Sequence, residues 1–277
     1  MPGKVYLIGA GPGDPELLTI KALRILKAAD VVLHDALVGP EILAFVPATA
    51  HVQNVGKRCG GKSTPQDEIN RLLVNYARLD LQVVRLKGGD PLVFGRGGEE
   101  IEALRAANIE FEIVPGVTAA LGAAAAAGIP LTHRTASSAL LFLTGQRSKS
   151  ADKDGWPRLS PNVTTVIYMP GHDYAEISRR LIAAGLAGDT PCALVSHATS
   201  ASQKLHVSIV AELAVAPDLP APTLLVVGEV VRFARRDASS LDWVAASFDC
   251  PELISLLTET GLLAHSQDSP AQQERSE

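Results

Sequence analysis

The chain has 277 residues, of which 47% are hydrophobic, 20% charged and 4% aromatic, and its formal net charge is −5. That length and apolar content suffice for a sizeable core in one or two domains and exclude disorder over most of the chain. The negative balance gives no global basic field for a phosphate backbone, and the scarcity of aromatics argues against a stacking platform, so no nucleic-acid partner is expected. Cys59, Cys192 and Cys250 are odd in number and far apart, without CxxC or Cys/His ligand spacing, so neither a disulfide framework nor a metal site is expected. The start MPGKVYLIGAG runs straight into a strand-like segment with no long apolar leader. The run from Gly122 to Ile129 is short of the ~18 apolar residues a membrane span needs. A soluble, cytoplasmic protein without a membrane partner is the expectation.

In chain order, Val5–Ile8 is a short apolar run ending in Gly9-Ala-Gly-Pro-Gly-Asp14. A helical pattern follows, with Leu17, Leu18, Leu23, Ile25, Leu26 and Ala29 inward and Lys21, Arg24 and Lys27 mainly outside. Val31–Leu33 is a second strand, ending at His34-Asp35, and Val52–Val55 a weaker third. Ser63-Thr64-Pro65 opens another helix with a hydroxyl cap and an early proline, then Asp67 and Glu68 near the positive end of the dipole. Its apolar stripe is Ile69, Leu72, Leu73 and Tyr76. Val83–Leu86 is a strand ending in Lys87-Gly-Gly-Asp-Pro91, Glu99–Ala107 a helix, and Phe111–Val114 a strand closed by Pro115-Gly116.

The Ala-rich helix Thr118–Ala127, stopped by Gly128 and Pro130, begins a second unit. That unit has apolar runs at Ala139–Leu143, Val163–Tyr168, Cys192–Val195 and Thr223–Val227, and an exposed strand over 203–209. A helix within it turns Ile177, Leu181 and Ile182 inward and ends at Gly185, and Gln146–Pro161 is a polar loop. Beyond Arg235 the pattern decays into one short helix near Glu252–Leu263 and a disordered tail; no internal repeat is visible. The alternation predicts an α/β protein whose sheets are mainly parallel or mixed and flanked by helices.

Two glycine-rich turns stand at strand ends. Gly9-Ala-Gly-Pro-Gly, with Asp35 at the end of the next strand, sits where a dinucleotide-binding fingerprint would. Its spacing is G-x-G-x-G, however, and Pro12 lacks a backbone donor for a pyrophosphate. A nicotinamide site and a plain tight turn both remain open at this point. Gly88-Gly89-Asp90-Pro91 is a second turn of the same kind, and two at equivalent strand ends outline one crevice.

Three longer segments are more specific: LIGAGPGDPELLTIKALRILKAADVVLHDALV, KGGDPLVFGRGGEE and VPGVTAALGAAAAAGIPLTHR, in this order. With TLLVVGEVV near residue 227, they resemble the uroporphyrinogen-III C-methyltransferases of the tetrapyrrole methylase superfamily, over roughly residues 3–235. The resemblance implies a two-domain fold (1–116 and 117–236, with a partly disordered extension over 237–277) and an active site between the domains. It further implies a homodimer using S-adenosyl-L-methionine as methyl donor and releasing S-adenosyl-L-homocysteine. The implied reaction methylates C2 and C7 of uroporphyrinogen III, giving precorrin-2 through a monomethyl intermediate, for sirohaem, haem d1 or cobalamin. Methylation of a later corrin precursor and a non-catalytic binding module are the competing readings. An attached dehydrogenase or chelatase module is not expected at this length.

Residue by residue, the resemblance places the donor on Pro12, Gly88, Gly89, Asp90, Val93, Thr118, Ala119, Met169 and Ala198. Asp90 and Thr118 also make sense as a turn-former and a helix-start hydroxyl, and Met169 as core filling. Ser196-His197-Ala198-Thr199 departs from the glycine-rich turn common at this place. Asp35 and Lys57 match the family's proton acceptor and donor; Asp35 is otherwise a cap or turn carboxylate, and Lys57, with Arg58 and Lys62, part of a basic loop. Arg96, Glu99, Arg134 and Lys57 are the candidates for the substrate, since guanidinium forks pair carboxylates with two parallel bonds. Arg96 is a second candidate proton acceptor, and Glu99 either holds Arg96 or binds pyrrole N–H groups. His133, beside Arg134, is a polar contact or a satisfied structural histidine.

Overall fold

The computed structural model describes residues 3–56, 64–146, 155–160 and 162–235. All described residues belong to one compact unit, Met1–Ser240. The helix expected near Glu252–Leu263 lies outside them.

Strands β1 (Lys4–Gly9), β2 (Val31–His34), β3 (His51–Asn54), β4 (Gln82–Lys87) and β5 (Glu110–Val114) form an all-parallel sheet in the order β3-β2-β4-β1-β5. Such a sheet needs cover on both faces, and the strands read as near-continuous apolar runs for that reason. Helices α1 (Ile20–Leu26) and α2 (Pro40–Leu43) close one face over Ile8, Val32, Val84 and Leu86. Helices α3 (Gln66–Ala77) and α4 (Gly97–Ala106) close the other over Val5, Leu7, Val31, Leu33 and Val83. Strand alternation therefore sends Arg85 and Lys87 of β4 to the face that α4 covers.

The α5 helix (Ala119–Ala127), ended by Gly128 at φ 66°, leads to a second sheet. It consists of β6 (Ala139–Thr144), β7 (Val163–Tyr168), β8 (Pro191–Ser196), β9 (Lys204–Ile209) and β10 (Thr223–Val227) in the order β6-β7-β10-β8-β9. Only β6 and β7 are parallel neighbours; β10 inserts antiparallel between β7 and β8, so the sheet is mixed, and β7 and β8 end on the same side. One face packs on α5 through Ala120, Ala123, Val166, Val195 and Val226. The other packs on α6 (Tyr174–Ala183) through Ile177, Leu181, Leu194 and Leu225.

Three expectations are corrected. The helix after Thr64 has no hydroxyl cap: Pro65 itself stands at the cap position of α3, outside its first turn, and no side chain accepts there. The first helix does not begin at Leu17: Asp14 caps a single 3-10 turn, Pro15–Leu17, and Thr19 caps a separate helix from Ile20, so two cap residues split the pattern. Ile182 is 47% exposed rather than inward, because Ile177, Ser178 and Leu181 already occupy the buried stripe of α6. Among the described residues no helix is long and apolar enough to cross a membrane.

Candidate functional site

Asp35 follows β2, and its carboxylate caps no helix. Its backbone carbonyl accepts from Val38, while its Oδ1 accepts from Nη2 of Arg85. Arg85 also donates from Nε to Oε1 of Glu100 (2.9 Å) and from Nη1 to the carbonyls of Leu33 (3.3 Å) and Leu86 (3.2 Å). Lys87 donates to both oxygens of Glu100 (3.0 and 3.1 Å), and Gln66 Nε2 reaches Oε1 at 3.3 Å. The side chains of Arg85, Lys87 and Glu100 are 4%, 2% and 0% exposed, whereas that of Asp35 is 26% exposed. Burial works against the charge on Arg85, but the Asp35 and Glu100 carboxylates outweigh it and raise its pKa. For Lys87, burial and the neighbouring guanidinium prevail and lower it.

The two glycine turns are bonded to each other. Gly11 N–H donates to Gly89 O (3.2 Å), Gly89 N–H to Gly11 O (2.7 Å), and Ala10 N–H to Lys87 O (2.7 Å). These amides are spent on the turn, the following residues form a 3-10 turn instead of an α-helix N-terminus, and Asp35 is paired with Arg85. The nicotinamide reading fails on all three counts. Asp90 locks the crossing, its Oδ1 accepting from Leu92 N–H (2.8 Å) and Oδ2 from Gly116 N–H (3.1 Å). Both oxygens thus serve the turn.

Around the start of α5, Pro12, Gly89, Val93, Thr118, Ala119 and Ala198 come together. A Cβ added at Gly89, whose φ is 66°, would stand 3.4 Å from the Ala119 nitrogen, and one at Gly122 would stand 2.6 Å from Pro12 Cβ. The Ala119 amide has no internal acceptor among the described residues. Val93 and Ala119 pack on the cluster holding Ala198 and Tyr168. Thr118 does not cap α5 with its side chain; its hydroxyl meets Tyr168 Oη at 2.7 Å, and that phenol also accepts from Ala120 N–H (3.2 Å). Burial raises the Tyr168 pKa, so the phenol stays neutral. Met169, directly after β7, is 39% exposed at φ 50°, which removes the core-filling alternative. Gly88 lies against Leu37, its added Cβ 3.1 Å from Leu37 Cβ. In the non-glycine turn after β8, His197 and Thr199 take φ 46° and 66°, the conformation glycine would adopt cheaply, and Thr199 Oγ1 accepts from Asp14 N–H (3.1 Å).

Arg96 occupies the cap position of α4 at φ 57° and pairs with Glu99 through Nε–Oε1 (2.8 Å) and Nη2–Oε2 (2.6 Å), both side chains at least half exposed. Glu99 therefore does hold Arg96. The hydrogen bond to Glu99 raises the Arg96 pKa and lowers that of Glu99, which moves Arg96 away from the role of proton acceptor. Two residues earlier Phe94, also left-handed at φ 52°, rests on Tyr168 with ring centroids 4.9 Å apart. Arg134 is exposed and has no ion-pair or hydrogen-bond partner among the described residues, so no contact joins it to Arg96. His133 is the structural histidine: Nδ1 meets Thr135 Oγ1 at 3.0 Å and its ring packs on Phe233. Lys57, with Arg58 and Lys62, lies outside the described residues.

Residues 4–214 match the family described as tetrapyrrole (corrin/porphyrin) methylases. The chain belongs to this family. It is similar to a siroheme synthase of Actinobacillus succinogenes, 52% identical over 231 residues, which are 83% of this chain and 48% of that one. The chain thus spans about half the length of the siroheme synthases it matches. Among solved structures it resembles uroporphyrin-III C-methyltransferase from Thermus thermophilus, at 44% identity and TM-score 0.71 over 84% of this chain and 95% of that one. The T. thermophilus enzyme complexed with S-adenosyl homocysteine matches at 40% identity and TM-score 0.72, over 83% and 99%. Fold class and family are therefore as the motifs predict.

Within this tetrapyrrole methylase the site residues that sequence reasoning missed are Arg85, Lys87, Glu100 and Tyr168. A signal existed for the first two. Cations in Val83-Val-Arg-Leu-Lys87, a strand expected to be buried on both faces, require a buried carboxylate close by.

Proposed function

We propose that the chain is an S-adenosyl-L-methionine-dependent C-methyltransferase that methylates uroporphyrinogen III at C2 and C7 to give precorrin-2 by way of precorrin-1. The observation that carries this reading is the 44% identity across 95% of the T. thermophilus enzyme, joined to the convergence of the donor candidates on the start of α5. Those candidates suit the donor chemically. An Ala119 amide without an acceptor among the described residues, facing the Cβ-less Gly89, with Pro12, Val93 and Ala198 nearby, offers backbone polar groups and small apolar walls to an amino acid and a nucleoside, and the exposed Met169 offers a further apolar wall in this reading.

When bound, the donor supplies a methyl group already activated by its sulfonium, so the protein's task is alignment and charge. Correct placement of two reactants is worth about 7–11 kcal/mol in well-oriented systems. In this reading Arg96, Glu99, Arg134 and Lys57 bind the substrate, the cations gripping carboxylates of a polyanion that the net-acidic chain would otherwise repel. Asp35 takes the ring proton and Lys57 donates one. The domains are 1–116 and 117–236 with the site between them, and the functional form is a cytoplasmic homodimer. The product feeds sirohaem, haem d1 or cobalamin synthesis.

Anaerobic incubation with uroporphyrinogen III and the donor should yield a dimethylated product by mass, with calorimetric binding of S-adenosyl homocysteine and none of NAD. Failure to methylate uroporphyrinogen III while methylating a later corrin precursor would replace this reading by the competing one.

A further inference from the structure

The Asp35 carboxylate is anchored on one side only. Oδ1 is held by Arg85, and among the described residues nothing bonds Oδ2. Behind it lies a closed ionic set. Arg85 spends four of its five N–H groups, two of them on the carbonyls of Leu33 and Leu86, which ties the guanidinium to the backbone of β2 and β4. Glu100 fixes its Nε edge, and Lys87 occupies both Glu100 oxygens from the far side. Two cations and two carboxylates balance in formal charge.

A buried set of this kind adds little stability over apolar side chains of the same volume, although breaking it is costly. Its one outlet to solvent is the Asp35 carboxylate; the other three side chains are at most 4% exposed. We propose that Arg85 is a positioning residue that aims Asp35 Oδ2 at the reacting ring, and that Glu100 and Lys87 hold Arg85 in that pose. This inference rests on the reading of Asp35 as a proton-handling group in a uroporphyrinogen-III C-methyltransferase. A lysine at position 85 keeps the charge but cannot span Asp35, Glu100 and two carbonyls with one nitrogen.

The test is a double-mutant cycle, with uroporphyrinogen III as substrate and rates expressed per site titrated with S-adenosyl homocysteine. Asp35→Asn should lower kcat by about a hundredfold or more. Arg85→Lys should lower it by up to about a hundredfold, as a misplacement of ~1 Å does, with the affinity for S-adenosyl homocysteine unchanged. The double variant should match Asp35→Asn within about twofold, because Arg85 acts only through Asp35. Glu100→Gln, nearly the same shape, should show the same non-additivity and replaces Arg85→Lys if that variant folds poorly. Losses that multiply in the double variant, or titrated sites that turn over at the wild-type rate, overturn the proposal. An undiminished Asp35→Asn, or a wild-type chain that does not methylate the substrate, overturns the underlying reading instead.

Discussion

Arg96 shows how function and stability part at a single residue. Its φ of 57° puts a long side chain in the left-handed region, which costs a non-glycine residue roughly 1–2 kcal/mol. Its exposed ion pair with Glu99 returns only about 0–1 kcal/mol. Glycine takes the same backbone shape without strain and is tolerated at a helix cap. Arg96→Gly should therefore raise stability by up to about 1 kcal/mol in denaturant unfolding, and with Arg96→Ala it should keep S-adenosyl homocysteine affinity while losing most methylation. An active Arg96→Ala removes the residue from the mechanism. At this scale the motif residues were legible because glycines around Arg96 leave nothing for it to pack on. Arg85 carries a signal only as a buried cation that needs a carboxylate; its partner is not legible, since only the fold brings Glu100 of α4, fifteen residues later, to the same face.

At the scale of elements, period and caps identified nearly every strand and helix. The order β3-β2-β4-β1-β5 is another matter, because parallel neighbours far apart in sequence differ little in local pattern. Helix α5 is the element on which the donor candidates meet, and its interior Gly122 tests why. Alanine there gains about 1 kcal/mol of helix propensity. Its Cβ would stand 2.6 Å from both Pro12 Cβ and Pro12 Cγ, and 3.2 Å from Thr199 Cγ2, contacts that force the Pro12 turn or the helix to move. Overpacking of this kind costs about 1–3 kcal/mol and should prevail. Gly122→Ala is expected to lower the melting temperature and to weaken S-adenosyl homocysteine binding by calorimetry. A more stable variant with unchanged affinity would mean that Pro12 does not border the donor.

On the scale of the molecule, the two sheets share contacts that no local pattern announces. Asp14 N–H donates to Thr199 across 185 residues of chain, Pro12 packs on Gly122, and Phe94 of the first sheet's loop rests at a tilt on Tyr168 of the second. Such pairings depend on where the loops after β1 and β4 meet α5, β7 and the turn after β8 in space, which no local pattern in the sequence fixes. They predict one cooperative unfolding transition for both sheets. If the proposed donor site lies where those turns converge, S-adenosyl homocysteine should raise that transition as a whole. At a ligand concentration a hundredfold above its Kd the gain is about 2.7 kcal/mol, and at ~2–4 °C per kcal/mol for a unit of this size the melting temperature should rise by about 5–10 °C. Scanning calorimetry with and without the ligand decides the matter. Two transitions, of which the ligand moves only one, would mean that the sheets unfold independently and that the donor rests on one of them, which a site shared between the turns after β1 and β4 and those after β7 and β8 does not allow.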